Sequence, residues 1–236
     1  REGIDFGQAL RILADRTGVT LSLKSSAEDA AKQTLYQINS IAAEYYHHLL
    51  TSSPGGEKWQ AYLDRRGILS STVLDFQLGI SQDNWDSLVR HMAARGLQEN
   101  DLISAGLAIQ REGGGSYDRF RNRLMFPIHD IKGRISGFGA RALDDSSPKY
   151  MNTPQTAVFD KGATLYGIDR AVRAIRHDDV AVVVEGYMDV LTAHQGGFEN
   201  VVASMGTSLT EKQMNLAKRF TANIVLALDA DNAGSE

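Results

Sequence analysis

The chain has 236 residues, 42% of them hydrophobic and 23% charged, with 25 Lys/Arg against 29 Asp/Glu for a net charge of −4. That length can bury a core and build two modest domains, and the acidic balance argues against a uniform coating of nucleic acid. The lack of cysteine excludes disulfides and thiolate metal sites and leaves a reducing, cytoplasmic setting as the default; no apolar run reaches the about 18 residues of a membrane span, and no secretory leader opens the chain.

Phe6, Leu10 and Leu13 at helical spacing ahead of Gly18 predict a short amphipathic helix with a glycine stop. Leu35, Ile38, Ala42, Tyr45 and Leu49 mark one face of a longer helix, which SSPGG (Ser52 to Gly56) breaks. Trp59, Tyr62 and Leu63 belong to a helix ending near Gly67, and helical patterns follow around Val73/Phe76 and around Trp85, Leu88, Val89 and Met92. At EGGGS (Glu112 to Ser116) the character changes, and successive glycines predict a flexible segment. RLMFPIHD and RISGFGARAL read as two strands of a hairpin turning at Lys132-Gly133. GFGARA fits a dinucleotide-binding glycine pattern, but DDSSP follows it instead of a helix, so the pattern is set aside. KYMNTPQTAVFDKG is expected to run irregularly to Gly162.

A helix near Asp169–Arg176 opens an alternating region. It reads as a strand at Ala181–Val184, a helix at Val190–Gln195 and a strand at Asn200–Ser204. A helix with a capping box of Ser208 and Glu211 follows, then a strand at Ile224–Leu228. Strands alternating with helices imply a parallel sheet with right-handed crossovers.

Two of these strands end in acids: Glu185 after the first, Asp229 and Asp231 after the third. Ligands gather beyond the carboxyl ends of strands in open α/β sheets. If the two strands are neighbours, three carboxylates converge, and they repel unless a cation sits among them. All-oxygen ligation suits Mg²⁺ or Mn²⁺. Gly186 allows a phosphate to approach the backbone, and Asp189 falls in the first turn of the next helix, where a carboxylate is favoured. Read alone, Glu185 and Asp189 are also compatible with plain helix-start acids. From Arg119 to Lys149 the chain carries seven Lys/Arg against three Asp/Glu, which suggests a localised polyanion site; a solvated sheet face is the alternative. In RFRNR, regular strand alternation would place Arg119, Arg121 and Arg123 on one face and Phe120 toward the core.

EGYMD and, 40-odd residues later, DADNAG resemble the paired motif of the topoisomerase–primase (TOPRIM) domain. YDRFRNRLMFPIHDIKGRISGFGAR, PKYMNTPQTAVFDKGATLYG and YLDRRGI resemble the central domain of bacterial DNA primase. The resemblance implies an α/β fold: residues 1–26 a tail like the end of a zinc-binding domain, 27–178 an α+β primase-core subdomain, and 179–236 a partial parallel-sheet TOPRIM subdomain. It implies synthesis of short RNA primers on single-stranded DNA from NTPs. Glu185, Asp229 and Asp231 would hold two or more divalent ions, Mg²⁺ or Mn²⁺, with Asp189 supporting or ligating. Arg66, Arg119, Arg121, Lys149, Asn152 and Lys161 would face the nucleotides and the template. Zinc would belong to a separate domain outside this chain. A replicative helicase and a single-strand-binding protein would be partners through other regions, at a cytoplasmic replication fork. The chain opens at Arg1 and stops shortly after Asp231, so a piece of a longer protein is expected, with an exposed last strand and weak primer synthesis on its own. Competing readings are a non-catalytic fragment binding single-stranded DNA or nucleotides, and a piece of a TOPRIM nuclease or topoisomerase.

Overall fold

The apolar stripe from Leu35 to Leu49 belongs to one 30-residue helix, α1 (Leu23–Ser52). In this computed structural model the described residues are 17, 23–144, 147–206 and 208–228. The helix expected over Phe6–Leu13 therefore lies outside them, as do Asp229 and Asp231. The chain divides into two compact units, residues 1–34 and 35–236. Described residues 23–34 of the first are the opening turns of α1.

A 3₁₀ turn at Pro54–Gly56 ends the run of α1 and leads into α2 (Glu57–Arg65), which buries Trp59 and Leu63. Next come α3 (Ser70–Asp75), the short strand β1 (Gly79–Ser81), α4 (Ser87–Ala93) and α5 (Glu99–Ser104). EGGGS is not a loose segment. It closes a hairpin between β2 (Ala108–Gln110) and β3 (Ser116–Asp118), where Arg111 N donates to Gly115 O at 3.0 Å. Gly114 and Gly115 have φ of +93° and +74°, a backbone region that glycine enters without steric cost.

The expected hairpin is present as β4 (Arg123–His129) and β5 (Ile135–Arg141). Strand β1 adds on one side and β6 (Tyr150–Asn152) on the other, giving an antiparallel sheet of order β1-β4-β5-β6. Strand β6 corrects the expectation of irregular chain after Lys149: Ala142 N donates to Lys149 O at 2.9 Å, and Arg141 stands opposite Tyr150. RFRNR also departs from expectation. Asn122 adopts a φ of +50°, which breaks strand alternation before β4. Phe120 does enter the core, but the Arg123 side chain turns inward and donates to Pro148 O at 2.8 Å. The three arginines form no single exposed row.

Asp118 at the end of β3 caps α4: its two carboxylate oxygens accept from Leu88 N at 2.8 Å and Val89 N at 3.0 Å. Burial outweighs these bonds and pushes its pKa from 3.8 up to about 6. The folded chain therefore holds a proton there between about pH 4 and 6 that the unfolded chain has released. This contribution to stability is complete below pH 4 and is lost as pH rises through 6. Asp118→Asn removes the titration, so the unfolding free energy of the variant minus that of the wild type should increase from pH 4 to 7 in urea titrations; a flat difference contradicts it.

The second sheet is built by α6 (Ile168–Asp178), β7 (Ala181–Val184), α7 (Tyr187–Gln195), β8 (Val201–Ala203), α8 (Glu211–Ala217) and β9 (Ile224–Leu226). It is parallel with order β8-β7-β9, so the strand leading to Glu185 and the strand leading toward Asp229 are neighbours. The capping box of α8 is Thr210–Gln213, not Ser208–Glu211: Thr210 Oγ1 accepts from Gln213 N and Gln213 Oε1 accepts from Thr210 N, each at 3.1 Å. Both stretches fit the sequence rule. Gln213 wins because its fully buried carboxamide also donates to Lys161 O at 3.1 Å and Thr164 O at 2.9 Å. At the edge of the sheet, Val225, Leu226 and Leu228 are 50%, 54% and 41% exposed.

One core joins the two sheets. Leu50, Trp59, Leu124, Phe126 and Ile128 pack in the same cluster as Tyr187, Leu191, Val201 and Ala203. Gln195, the last residue of α7, adds a polar staple. It donates to Gly67 O at 2.7 Å and accepts from Leu69 N at 2.8 Å and Thr72 Oγ1 at 2.7 Å. The segment just after Arg66 is thereby fixed against the helix that begins beside Glu185.

Candidate active site

The valine run of β7 stops at Val184, and Glu185 and Gly186 carry the chain into α7. Gly206 N donates to Glu185 O at 3.2 Å and Ser204 N to Val184 O at 3.2 Å, so the main chain at Glu185 is held by the loop after β8. Asp189 Oδ2 accepts from Gly186 N at 3.0 Å. Its carboxylate thus closes the first turn of α7, where the helix field favours negative charge.

A cavity of about 400 Å³ opens at this strand end, lined by Arg66, Arg141, Tyr150, Asn152, Lys161, Glu185, Gly186, Tyr187, Met188, Asp189, Met205 and Gly206. Five of the expected residues meet here: Arg66, Asn152, Lys161, Glu185 and Asp189. Lys149 is exposed and stands beside the lining residue Tyr150 without lining the cavity itself. Arg119 and Arg121 lie on the link between β3 and β4, outside this lining. Burial lowers the pKa of Lys161, and likewise that of Arg119.

Arg141 and Tyr150 are among the lining residues that the sequence did not single out. Arg141 ends β5, in the glycine pattern that lacks a following helix; its guanidinium lies 5.0 Å from the Tyr150 ring centre and 5.4 Å from that of Tyr62, and donates to Tyr150 Oη. Tyr150 comes opposite it through the β5–β6 register. The signal available beforehand was a positive residue ending a core strand, which gains meaning only once β6 is paired.

The charge-rich span from Arg119 to Lys149 does not form one basic surface. Arg123 is buried, and Arg134 is bonded to Asp130 at 2.6 Å and to Tyr36 Oη at 3.0 Å. Arg121 instead stacks on an aromatic pair, with its guanidinium 4.1 Å from the Trp85 ring centre and 5.3 Å from that of Tyr117. Trp85 is 58% exposed. A flat cation stacked on an exposed indole presents positive charge and a π face together at the surface.

Among the described residues no group of three or more His, Cys, Asp or Glu is placed to hold a metal. The cavity itself presents two carboxylates, Glu185 and Asp189, and no imidazole or thiolate. That donor chemistry fits a hard divalent cation. Strand β9 reaches the same end of the sheet as β7, with Leu226 opposite Val183 and Ala227 N donating to Val183 O at 2.9 Å.

Residues 45–172 match the family model described as DNA primase catalytic core, N-terminal domain, and residues 182–236 match a Toprim-like model. DNA primase of Deinococcus radiodurans is 46% identical over 235 residues, which cover 99% of this chain and 40% of the relative. The crystal structure of a DNA primase domain from Pseudomonas aeruginosa is similar with a TM-score of 0.81 at 42% identity, over 85% of this chain and 63% of that one. A DnaG primase catalytic domain bound to single-stranded DNA is similar with a TM-score of 0.79 at 38% identity, over 87% of this chain and 66% of that one. The chain spans about 40% of the length of the curated relatives it matches. With the first model alone taking more than half of the residues, and with the mixed α/β fold shared with solved catalytic cores, the chain belongs to the DNA primase catalytic-core family.

Proposed function

We propose that this chain carries the nucleotidyl-transfer site of a bacterial-type primase, which joins ribonucleotides into short primers on a single-stranded DNA template. The observation that carries the reading is the cavity beyond β7, where Glu185 and Asp189 face Arg66, Arg141 and Lys161. A site for a triphosphate and divalent cations needs both signs of charge at close quarters. The DNA held by a solved relative at 38% identity supports a nucleic-acid template.

Glu185 would hold Mg²⁺ or Mn²⁺ together with Asp229 and Asp231, with Asp189 in support. Such ions, when bound, stabilise the attacking and leaving oxygens of a phosphoryl displacement. The chain's own cations bind and orient the triphosphate. Arg66 and Arg141 can grip phosphate oxygens with two parallel N–H bonds, and Lys161 supplies a point charge. Asn152 accepts a bond from Lys161 and keeps the ammonium aimed into the cavity. Arg121, Trp85 and Tyr117 form a stacking platform for the template, with Arg119 and Lys149 as further backbone contacts. In this reading residues 27–178 supply the cationic side of the site, residues 179–236 the acidic side, and residues 1–26 the tail leading to a zinc-binding domain. Helicase and single-strand-binding protein would dock on regions of the full-length protein beyond these residues, in the cytoplasm at the replication fork.

Mn²⁺-dependent ribonucleotide incorporation on single-stranded DNA, by the chain alone and within the full-length protein, tests the proposal. Full-length protein should make primers, and the chain alone should bind DNA and make few. Arg121→Ala should weaken binding to single-stranded DNA about tenfold, the scale of one lost base-stacking contact, with a shallower salt dependence. Full-length protein that cleaves DNA without consuming nucleotides overturns the reading in favour of a nuclease.

A further inference from the structure

We infer that Tyr187 is a positioning residue for Lys161, acting through the carboxamide of Asn152. The inference rests on the triphosphate reading of the cavity and adds to it a nearly buried lining residue that acts through its neighbours. Tyr187 is the first residue of α7 and is 2% exposed. Its ring stacks on Phe126 at 4.7 Å and 13° and meets the edge of Tyr166 at 4.8 Å and 82°. On the remaining side lies Gly139 of β5: a Cβ there would come within 2.6 Å of Tyr187 Cε2, and closer still to Cζ and Oη. The ring has nowhere to go, so its hydroxyl is a fixed point.

That hydroxyl is bonded to the side chain of Asn152 at the end of β6. The amide orientation follows from its other neighbour. An ammonium has donors and no acceptor, so the Asn152 oxygen must face Lys161. In this orientation it accepts from Nζ at 3.1 Å, while Nδ2 donates to Tyr187 Oη and to Met151 O at 3.3 Å. Lys161 is gripped at its other end too, where its carbonyl accepts from the buried Gln213 carboxamide at 3.1 Å. The ammonium that meets a triphosphate is thus aimed by a chain of bonds ending in the core. A phenylalanine at 187 would fill the same space, as Phe126 does beside it; the hydroxyl is the difference, and its visible use is to hold Asn152.

Tyr187→Phe keeps the ring and removes the fixed point. In NMR spectra of nucleotide-free protein with labelled lysine, the Lys161 Cε and Hε resonances should shift, while Tm stays within about 2 °C. Binding of ATP, followed by calorimetry in the presence of Mg²⁺, should weaken about fivefold in Tyr187→Phe and more than tenfold in Lys161→Ala, scales set by a bond to a charged group. Affinity for single-stranded DNA should be unchanged in Tyr187→Phe. The double variant should bind ATP within twofold of Lys161→Ala, because Tyr187 acts only through that lysine. Unmoved Lys161 resonances, or losses that multiply in the double variant, overturn the inference. Shifted resonances in a protein that binds no ATP would keep the positioning chain and overturn the function proposed for the cavity.

Discussion

Glu185→Gln is expected to lower ribonucleotide incorporation by the full-length protein by at least about 10²–10³-fold, the scale of losing one electrostatic element at a reacting phosphate, with folding intact. Glu185 is half-buried at the mouth of the cavity, and the strand delivers it rather than the reverse. Its main-chain carbonyl is held by Gly206 N and the preceding residue by Ser204 N. Glutamine preserves size and main-chain bonding, so stability should change by no more than about 0.5 kcal/mol. What it removes is the negative charge that a divalent cation requires among Arg66, Arg141 and Lys161. Single-turnover primer synthesis with excess Mn²⁺ is the measurement. A variant within tenfold of wild type would falsify the role given to Glu185.

Gly139→Ala should act on the fold. The added methyl meets the tip of Tyr187, a rigid ring fixed between Phe126 and Tyr166, and no exposed chain end is available to yield. Overpacking of this kind costs about 3 kcal/mol or more, and in a chain of this size that corresponds to a Tm lower by about 6–12 °C. Gly137→Ala on the same strand is the internal control. Its Cβ would sit 3.1 Å from Phe159 Cγ and from Thr153 Cβ, a tight contact that a small shift relieves, so a loss of about 1 kcal/mol or less is expected. Calorimetric melts showing the two variants equal would contradict the argument that Tyr187 needs the space of a missing side chain.

The parts of the molecule legible in the sequence are those with long apolar periodicity. The stripe of α1, the β4–β5 hairpin and the succession from α6 to β9 fall where hydrophobic spacing places them. Strands β1, β2, β3 and β6 span three residues each, too few for alternation to show, and unlike the equally short β8 and β9 they stand in no regular strand–helix succession. The RFRNR segment reads as a strand only if every residue stays extended, and Asn122 does not. Glu185 was legible because an acid directly after a run of valines stands at the carboxyl end of a strand, and Asp189 because it follows four residues later in the same EGYMD stretch. Arg141 and Tyr150 were not, since their meeting depends on the register between β5 and β6 and on no local pattern. Arg66 reaches the site through a staple made by Gln195, 128 residues away from Gly67 in sequence, a distance over which no spacing rule operates. The neighbouring of β7 and β9 is likewise a tertiary outcome, fixed by the order β8-β7-β9.

The central claim is that the oxygen-rich end of β7, facing Lys161 and Arg141, is where a divalent cation binds. Anomalous scattering from crystals equilibrated with Mn²⁺ measures this directly. A peak is expected about 2 Å from a Glu185 carboxylate oxygen, inside the 400 Å³ cavity and lost in Glu185→Gln. Mn²⁺ at saturating concentration bound only elsewhere on the protein, with no density beside Glu185, would contradict it.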